Sequence, residues 1–246
     1  MIPFTATRRA FAVALTLAII CCGSSYAQDS GRSLYTPPVA GSFGPAFAEH
    51  GMVVAQEKLA AQIGADILRQ GGNAIDAAVA TGFALAVTYP RAGNLGGGGF
   101  MVIHSAERAE DIAIDYRETA PAATTRDIFL GADGKPDIAR SRDSALGIGV
   151  PGTVAGLVLA LEKYGSGTLT LAELLKPAIA LARDGVAIAD DTADTLPEWH
   201  RRLKRWPSSA KIFSRADGSS LRDGDRLVQS DLAATLSAIS AAAVLW

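Results

Sequence analysis

Two strand-like runs follow one another in this chain. Four consecutive glycines precede the first run, and a lone arginine ends the second. The arginine is Arg117, at the end of DIAIDYR, and the glycines are Gly96 to Gly99, directly before FMVIH. Glycine lets a backbone approach another segment or a ligand closely, and positive φ costs it little. A guanidinium held at a strand end can bind a carboxylate through two parallel hydrogen bonds. The pattern therefore suggests a site at which Arg117, as a fixed cation, would hold a carboxylate.

Each part of this pattern also has a purely structural interpretation. Four glycines between a helix and a strand are typical of a tight, packed connection, and Arg117 has Asp115 and Glu118 beside it as ion-pair partners. No Lys-Ser or Lys-Thr follows the glycines, which excludes a P-loop, and their spacing is not that of a dinucleotide-binding fingerprint. From the residues alone, a site and a packed connection both stay open.

Two helices are predicted before the glycines. Apolar residues recur at helical spacing from Glu57, and Gly71-Gly72-Asn73 predicts a left-handed stop. A second helix is expected from about Ala74 to Thr88, ended by Pro90. It is apolar nearly all round, which indicates burial, and its small residues would allow close packing against a sheet.

Further helices are predicted after the strands. One follows Pro151-Gly152-Thr153 and ends at Gly165. Another begins at Thr170 and closes at Gly185, with Pro177 expected to kink or split it. Helices, a glycine connection and paired strands together predict an α/β fold in which helices cover a sheet.

Five motifs of this chain occur in the order found in one enzyme family. They are GMVVAQEKLAAQIGADILRQGGNAIDAAVATGFALAVTYP at 51–90, NLGGGGFMVIH at 94–104, IDYRETAP at 114–121, GVPGTVAGLVLALEKYG at 149–165 and LLKPAIALARDGVAI at 174–188. Together they resemble the large-subunit portion of the γ-glutamyltranspeptidase (glutathione hydrolase) family. The resemblance covers about Glu49 to Ser240, so residues 49–246 are expected to be the N-terminal portion of such a large subunit.

The resemblance implies a fold and a reaction. The fold would be an incomplete αββα sandwich of the N-terminal-nucleophile hydrolase type, an α/β (α+β) class. In this family a precursor cuts itself, and the new terminal threonine of the small subunit attacks the γ-glutamyl carbonyl. Its free α-amino group titrates near neutral pH and serves as the base for its own hydroxyl. The implied partners are glutathione or another γ-glutamyl small molecule and the small subunit of the same precursor.

The chain departs from the family pattern at its end. It stops at Trp246, before the self-cleavage threonine, so we assign no catalytic residue in this chain and expect it to be inactive alone. A frameshift, an incomplete gene or a split gene would each explain this. IDYRETAP places the family's glutamate-binding arginine on Arg117, and no cofactor is implied.

Three functions stay open on the sequence. The first is a γ-glutamyl hydrolase or transferase, with the balance between the two reactions undecided. The second is a related acylase of glutaryl-type side chains. Arg117 favours the first, because glutarate has no α-carboxylate beside an amine. The third is a truncated, non-catalytic remnant or binding module.

The first 27 residues have the pattern of a signal peptide. Arg8 and Arg9 precede the apolar run from Ala10 to Cys22, and Ser25-Tyr26-Ala27 offers a cleavage site. That run is too short to span a bilayer, so we expect export to the periplasm or medium, by the secretory or the twin-arginine route, without a stable membrane anchor. Residues 28–48 are rich in Ser, Gly and Pro and are interpreted as a flexible tether.

The composition of the chain argues against nucleic-acid binding, a thiol site and a metal site. The net charge of −2 and the absence of a dense basic stripe argue against nucleic acid, and the cluster of Arg201, Arg202, Lys204 and Arg205 beside two tryptophans is interpreted as a solvated face. Both cysteines lie in the leader, which excludes a thiol site in the mature chain. The three histidines are far apart, and no metal site is predicted.

Overall fold

The structure, a computed structural model, describes residues 47–188 and 190–242. The predicted signal peptide at 1–27 and residues 28–46 of the predicted tether lie outside the described residues. From Glu49 onward the chain forms one compact unit, and the fold is that of this unit.

The unit contains eight α-helices and four short strands within the described ranges. The helices are α1 Lys58–Arg69, α2 Ala74–Thr88, α3 Ile138–Arg142, α4 Thr153–Tyr164, α5 Leu171–Asp184, α6 Asp190–Leu203, α7 Pro207–Phe213 and α8 Ser230–Ala242. A 3₁₀ turn spans Ala145–Gly147. The strands are β1 Phe100–Ser105, β2 Glu110–Asp115, β3 Val186–Ala187 and β4 Arg226–Leu227.

The two predicted N-terminal helices are confirmed, including the turn that joins them. The Glu57 carboxylate accepts the backbone N–H groups of Leu59 and Ala60 at the start of α1. Beyond α1, Gly71 has φ +89°, in the left-handed region where a side chain is unfavourable. The chain therefore reverses and enters α2 within a few residues.

Helix α2 lies at the centre of the hydrophobic core. Val79, Phe83 and Val87 have no solvent exposure, and the helix packs against α1, α4 and α5. Small residues bring the backbones close, since a Cβ added at Gly64 of α1 would lie 2.3 Å from Thr81 Oγ1. The predicted burial is confirmed, and the closest neighbours of α2 are helices.

Helix α5 corrects one detail of the sequence analysis. Thr170 caps it as predicted, in a reciprocal capping box with Glu173, and Gly185 ends it at φ +83°. Pro177 lies inside a single continuous helix, so the predicted split is wrong. Buried leucines one turn earlier, Leu174 and Leu175, hold that side of the helix in the core and offset the missing backbone hydrogen bond.

Strands β1 and β2 form an antiparallel pair with Phe100 opposite Asp115 and Ser105 opposite Glu110. Because side chains alternate between the two faces of a strand, Ile103 lies in the core. The opposite face carries Phe100 and Val102, which are 61% and 81% exposed.

A second, smaller sheet pairs Val186 of β3 with Leu227 of β4, and both residues are buried. The segment that leads into β4 is held by Asp225, whose carboxylate accepts two hydrogen bonds from Arg215, at 2.6 and 2.8 Å. The backbone N–H of Arg222 donates to the same carboxylate. These donors, the Arg215 guanidinium first, lower the pKa of Asp225 from 3.8 to about 2.

The described unit is thus a mixed α/β structure in which helices cover small antiparallel sheets. None of its described helices has the length and apolar character that a bilayer crossing requires.

Candidate functional site

Three segments meet around Arg117, and we call them together the arginine junction: residues 97–99, 116–119 and 150–153. The carbonyl of Gly97 accepts hydrogen bonds from the N–H groups of Gly152 and Thr153, at 2.9 and 3.0 Å. Tyr116 donates its N–H to Gly99 at 3.0 Å. A bridge between Thr119 and Val150 closes the third side. The backbone beneath Arg117 is therefore fixed by segments from distant parts of the chain.

The Arg117 side chain emerges from this fixed backbone into solvent. The backbone N–H of Arg117 donates to Asp115 Oδ1 at 3.0 Å, while the Arg117 side chain is 68% exposed. The nearest carboxylate partner is Glu118, whose Oε2 lies 3.8 Å from Arg117 Nε, beyond hydrogen-bonding distance. An exposed pair of this kind contributes little free energy. The guanidinium N–H groups are therefore available to donate hydrogen bonds to a ligand carboxylate.

The glycine run approaches the backbone of Arg117 at van der Waals distance. A Cβ added at Gly98 would lie 2.5 Å from the Tyr116 carbonyl oxygen and 2.8 Å from Arg117 Cα. None of Gly96 to Gly99 has a positive φ, so space and not backbone conformation is what requires glycine at 98. The packed-connection interpretation is thus confirmed at Gly98, and the site interpretation of Arg117 stays a prediction.

Comparison with known proteins places this geometry in a family. A family model described as gamma-glutamyltranspeptidase matches residues 60–245. The chain belongs to the γ-glutamyltranspeptidase family. The glutathione hydrolase proenzyme of Escherichia coli (strain K12) is 49% identical over 198 residues, which are 80% of this chain and 34% of that protein. The resemblance predicted from the motifs is confirmed.

The fold agrees with solved members of the γ-glutamyltranspeptidase family. The crystal structure of Helicobacter pylori gamma-glutamyltranspeptidase has a TM-score of 0.77 and 45% identity, over 81% of this chain and 56% of that one. The predicted N-terminal-nucleophile hydrolase fold class is confirmed.

Acylases are also among the relatives. The Acylase ACY 1 proenzyme of Pseudomonas sp. (strain V22) is 40% identical over 203 residues, which are 80% of this chain and 36% of that protein. The chain spans about a third of the length of the curated relatives it matches.

Sequence reasoning located Arg117 but missed Tyr116, the residue that supports it. The Tyr116 ring lies half-buried against α4, where a Cβ added at Gly156 would lie 2.2 Å from its Cγ. Burial raises the pKa of Tyr116 above its ordinary value. The available signal was Gly156, which lies inside the first turns of a helix, where glycine is otherwise unfavourable.

None of the three histidines of this chain belongs to the three segments of the arginine junction. His50 is exposed, His104 Nδ1 lies 2.7 Å from Asp111 Oδ1, and buried His200 contacts Ser214 Oγ through Nε2 at 2.8 Å. Across residues 47–188 and 190–242, no three His, Cys, Asp or Glu side chains are grouped to hold a metal.

The tryptophan and arginine cluster lies on α6 and the turn that follows it, away from the arginine junction. Arg202 donates to Asp143 Oδ1 at 2.6 Å and lies over the Trp199 ring, 5.6 Å from its centroid. Trp206 is 59% exposed beside them. One of the four cations is thus engaged in holding the loop after α3, and the cluster shares no residue with the junction.

Proposed function

We propose that this chain contributes the substrate-carboxylate site of a γ-glutamyl hydrolase or transferase that acts on glutathione and other γ-glutamyl amides. The observation that carries the proposal is Arg117, whose guanidinium is exposed while its backbone is fixed on three sides. A substrate α-carboxylate would accept two parallel N–H bonds from it. Arg117 then positions the γ-glutamyl group and takes no part in breaking bonds.

The chemistry would come from a threonine of the small subunit, which lies outside these 246 residues. Its hydroxyl attacks the γ-glutamyl carbonyl, its own α-amino group accepts the proton, and the amine of the substrate leaves. Water or an amino-acid acceptor then attacks the acyl-enzyme. The part played by this chain is to place the γ-carbonyl by holding the other end of the substrate, which turns binding energy into orientation.

Arg117→Ala and Arg117→Lys test this role in a full-length precursor that carries this region. The loss of the bidentate pair should cost about 2 to 4 kcal/mol of substrate binding, seen as a raised KM for γ-glutamyl-p-nitroanilide. Lysine restores charge but not the two-pronged geometry, so its KM should lie between those of wild type and alanine. Self-cleavage should stay intact in both variants, because that step needs no substrate carboxylate.

Arg126→Ala is the matched control, because Arg126 is 96% exposed and lies outside the arginine junction. Its KM should equal that of wild type. An unchanged KM in Arg117→Ala would contradict the assignment and return Arg117 to an ion-pair role with Asp115 or Glu118.

An acylase of glutaryl-type side chains is the second candidate, supported by the similarity to the Pseudomonas acylase. A glutaryl group also ends in a carboxylate that Arg117 could bind, but it lacks the neighbouring amine. The ratio of kcat/KM for γ-glutamyl-p-nitroanilide to that for glutaryl-p-nitroanilide separates the two. We expect a ratio well above one, and a ratio below one would favour the acylase.

We further propose that the chain expressed alone neither cleaves itself nor turns over γ-glutamyl-p-nitroanilide. The support is that neither threonine of the arginine junction, Thr119 or Thr153, has a side-chain hydrogen bond to a base among the described residues. Turnover by a homogeneous sample of the chain would show that a nucleophile has been missed. Absence of turnover in a full-length precursor as well would favour the non-catalytic remnant or binding module.

Export is proposed from the leader, with cleavage after Ala27 and a periplasmic or secreted product that has no stable membrane anchor. N-terminal sequencing of exported material should begin at Gln28. A cytoplasmic product that begins at Met1 would contradict this.

A further inference from the structure

We propose that Tyr116 is a positioning residue for substrate binding: its ring, held between Gly99 and Gly156, sets the place of Arg117. The inference rests on the proposed function, because it assumes that Arg117 binds the substrate carboxylate. The new element is that packing between α4 and the Tyr116 ring, rather than a direct contact with substrate, sets the affinity of the site for the carboxylate.

The contact between α4 and Tyr116 leaves no room for a side chain at Gly152 or Gly156. A Cβ added at Gly156 would lie 2.2 Å from Tyr116 Cγ and 2.5 Å from Cδ1. At Gly152 it would lie 1.9 Å from the Tyr116 carbonyl oxygen. Real side chains do not approach other atoms so closely, so any larger residue at either position would displace Tyr116 or the helix. The two glycines therefore fix the distance between α4 and the end of β2.

The opposite side of Tyr116 is closed by the glycine run. Tyr116 exchanges backbone hydrogen bonds with Gly99, at 3.0 Å as donor and 3.4 Å as acceptor, and its ring lies over Gly99, where a Cβ would be 3.0 Å from Cε2. Tyr116 is thus held on both faces, and the next residue in the chain is Arg117. A displaced Tyr116 would move the Cα from which the guanidinium projects.

A bidentate pair is sensitive to such a displacement. Both N–H bonds of the guanidinium must meet both oxygens of the carboxylate, so a tilt or a shift weakens both together. A misplacement of about 1 Å in a positioning group can reduce the rate of an enzyme about a hundredfold. Since the Arg117 side chain is exposed and has no close carboxylate partner in the described part of the chain, its backbone is what defines its direction.

The role belongs to the ring and not to the hydroxyl of Tyr116. The phenol oxygen makes no hydrogen bond to any described residue, and burial of the side chain raises its pKa. Phenylalanine, which keeps the ring, should therefore substitute for tyrosine at this position.

The test compares two substrates in a full-length precursor that carries this region. γ-Glutamyl-p-nitroanilide has the α-carboxylate, and 4-aminobutyryl-p-nitroanilide is the same acyl group without it. The ratio of their kcat/KM values measures how much the carboxylate contributes to recognition. We expect Tyr116→Ala and Gly156→Ala to lower this ratio at least tenfold, mainly through KM for the γ-glutamyl substrate, and Tyr116→Phe to keep it within about twofold of wild type.

Gly64→Ala is the matched control, because it also inserts a methyl group into a close helix contact, 2.3 Å from Thr81 Oγ1, outside the arginine junction. It should lower the thermal stability of the protein and leave the substrate ratio unchanged. A fall in the ratio for Gly64→Ala equal to that for Gly156→Ala would reduce the effect to general destabilisation and overturn the positioning role. Where Gly156→Ala does not fold, Tyr116→Leu decides, since it removes the ring and fits within the space of the tyrosine.

Arg117→Ala, measured beside them, separates this inference from the proposed function. If Arg117→Ala lowers the ratio and the Tyr116 and Gly156 variants do not, Arg117 binds the carboxylate but Tyr116 does not position it. If Arg117→Ala leaves the ratio unchanged, the proposed function of Arg117 is wrong, and the positioning role is overturned with it.

Discussion

Helix α2 and strand β1 are both apolar segments of one unit, and the structure treats them in opposite ways. Described residues cover most of the helix, with Val79, Phe83 and Val87 fully buried, and only Ala74 and Ala78 at its start are exposed. The strand buries Ile103 on one face and leaves Val102 81% exposed on the other. Free energy from the hydrophobic effect scales with area removed from water. The apolar character of a residue therefore does not by itself determine how much it stabilises the fold. Mutations in the two segments should differ sharply in their effect on the free energy of unfolding.

The largest difference is expected between two phenylalanines. Phe83→Ala in α2 removes a ring that is 0% exposed, and it should lower the free energy of unfolding by about 3 to 5 kcal/mol. Phe100→Ala in β1 makes the same chemical change at a residue that is 61% exposed, and its cost should be below about 1 kcal/mol. Equilibrium unfolding in urea measures both. Equal costs would show that β1 is covered in solution.

The polar start of α2 should also carry a large share of the stability. Asp76 has no solvent exposure, and its carboxylate accepts the N–H groups of Asn73, at 2.8 Å, and Ser166, at 3.2 Å. Asp76→Ala would leave these N–H groups without an acceptor and should cost about 2 to 4 kcal/mol in the same urea experiment. Asp76→Asn keeps one acceptor oxygen and should cost less. A loss as large for asparagine as for alanine would show that charge, and not hydrogen bonding, is what matters there.

Next to the small sheet of β3 and β4, an ion pair between Arg215 and Asp225 contributes to stability, in contrast to the apolar contacts of α2. Because the pKa of Asp225 is lower in the folded protein than in the unfolded chain, its stabilisation is complete above about pH 4 and is lost as the pH falls to about 2. Asp225→Asn should therefore lower Tm at neutral pH, and the difference from wild type should shrink between about pH 4 and 2. Glu162→Gln, at an exposed position of α4, is the control and should shift Tm little at any pH. A pH-independent difference for Asp225→Asn would contradict the ionic explanation.

The smallest effect on stability is expected on the exposed face of β1. Val102→Ser should change the free energy of unfolding by no more than about 0.5 kcal/mol. It should raise the soluble fraction after centrifugation, because it reduces an exposed apolar patch. A loss of stability near that of Phe83→Ala would remove the distinction between the two segments.

Local signals in the sequence were sufficient to predict the elements that flank the site. Helical spacing from Glu57, the glycine stop at Gly71 and the N-cap at Thr170 each act within a few residues, and the structure has all three. The strand that ends before Arg117 was likewise predicted, from its short apolar run.

Contacts between distant segments could not be predicted in this way. The apolar character of α2 indicated burial but not that helices would cover it. The dependence of Tyr116 on Gly156 was also hidden, because nothing near Tyr116 in the sequence shows which helix packs on its ring. The position of Arg117 was therefore predictable, and the means by which it is held was not.

The hydrogen bonds from Gly152 and Thr153 to the Gly97 carbonyl have a consequence for the order of folding. They close a long loop, and the chain entropy lost in closing it must be offset before the contacts around Tyr116 can form. Local helices such as α1 and α2 need no such closure, so we expect Arg117 to reach its final place late in folding, after the helical core. Pulse-labelling hydrogen exchange would show this as slow protection of the Gly152 amide relative to amides of α2. A newly made chain would then have a formed core before the arginine junction is complete.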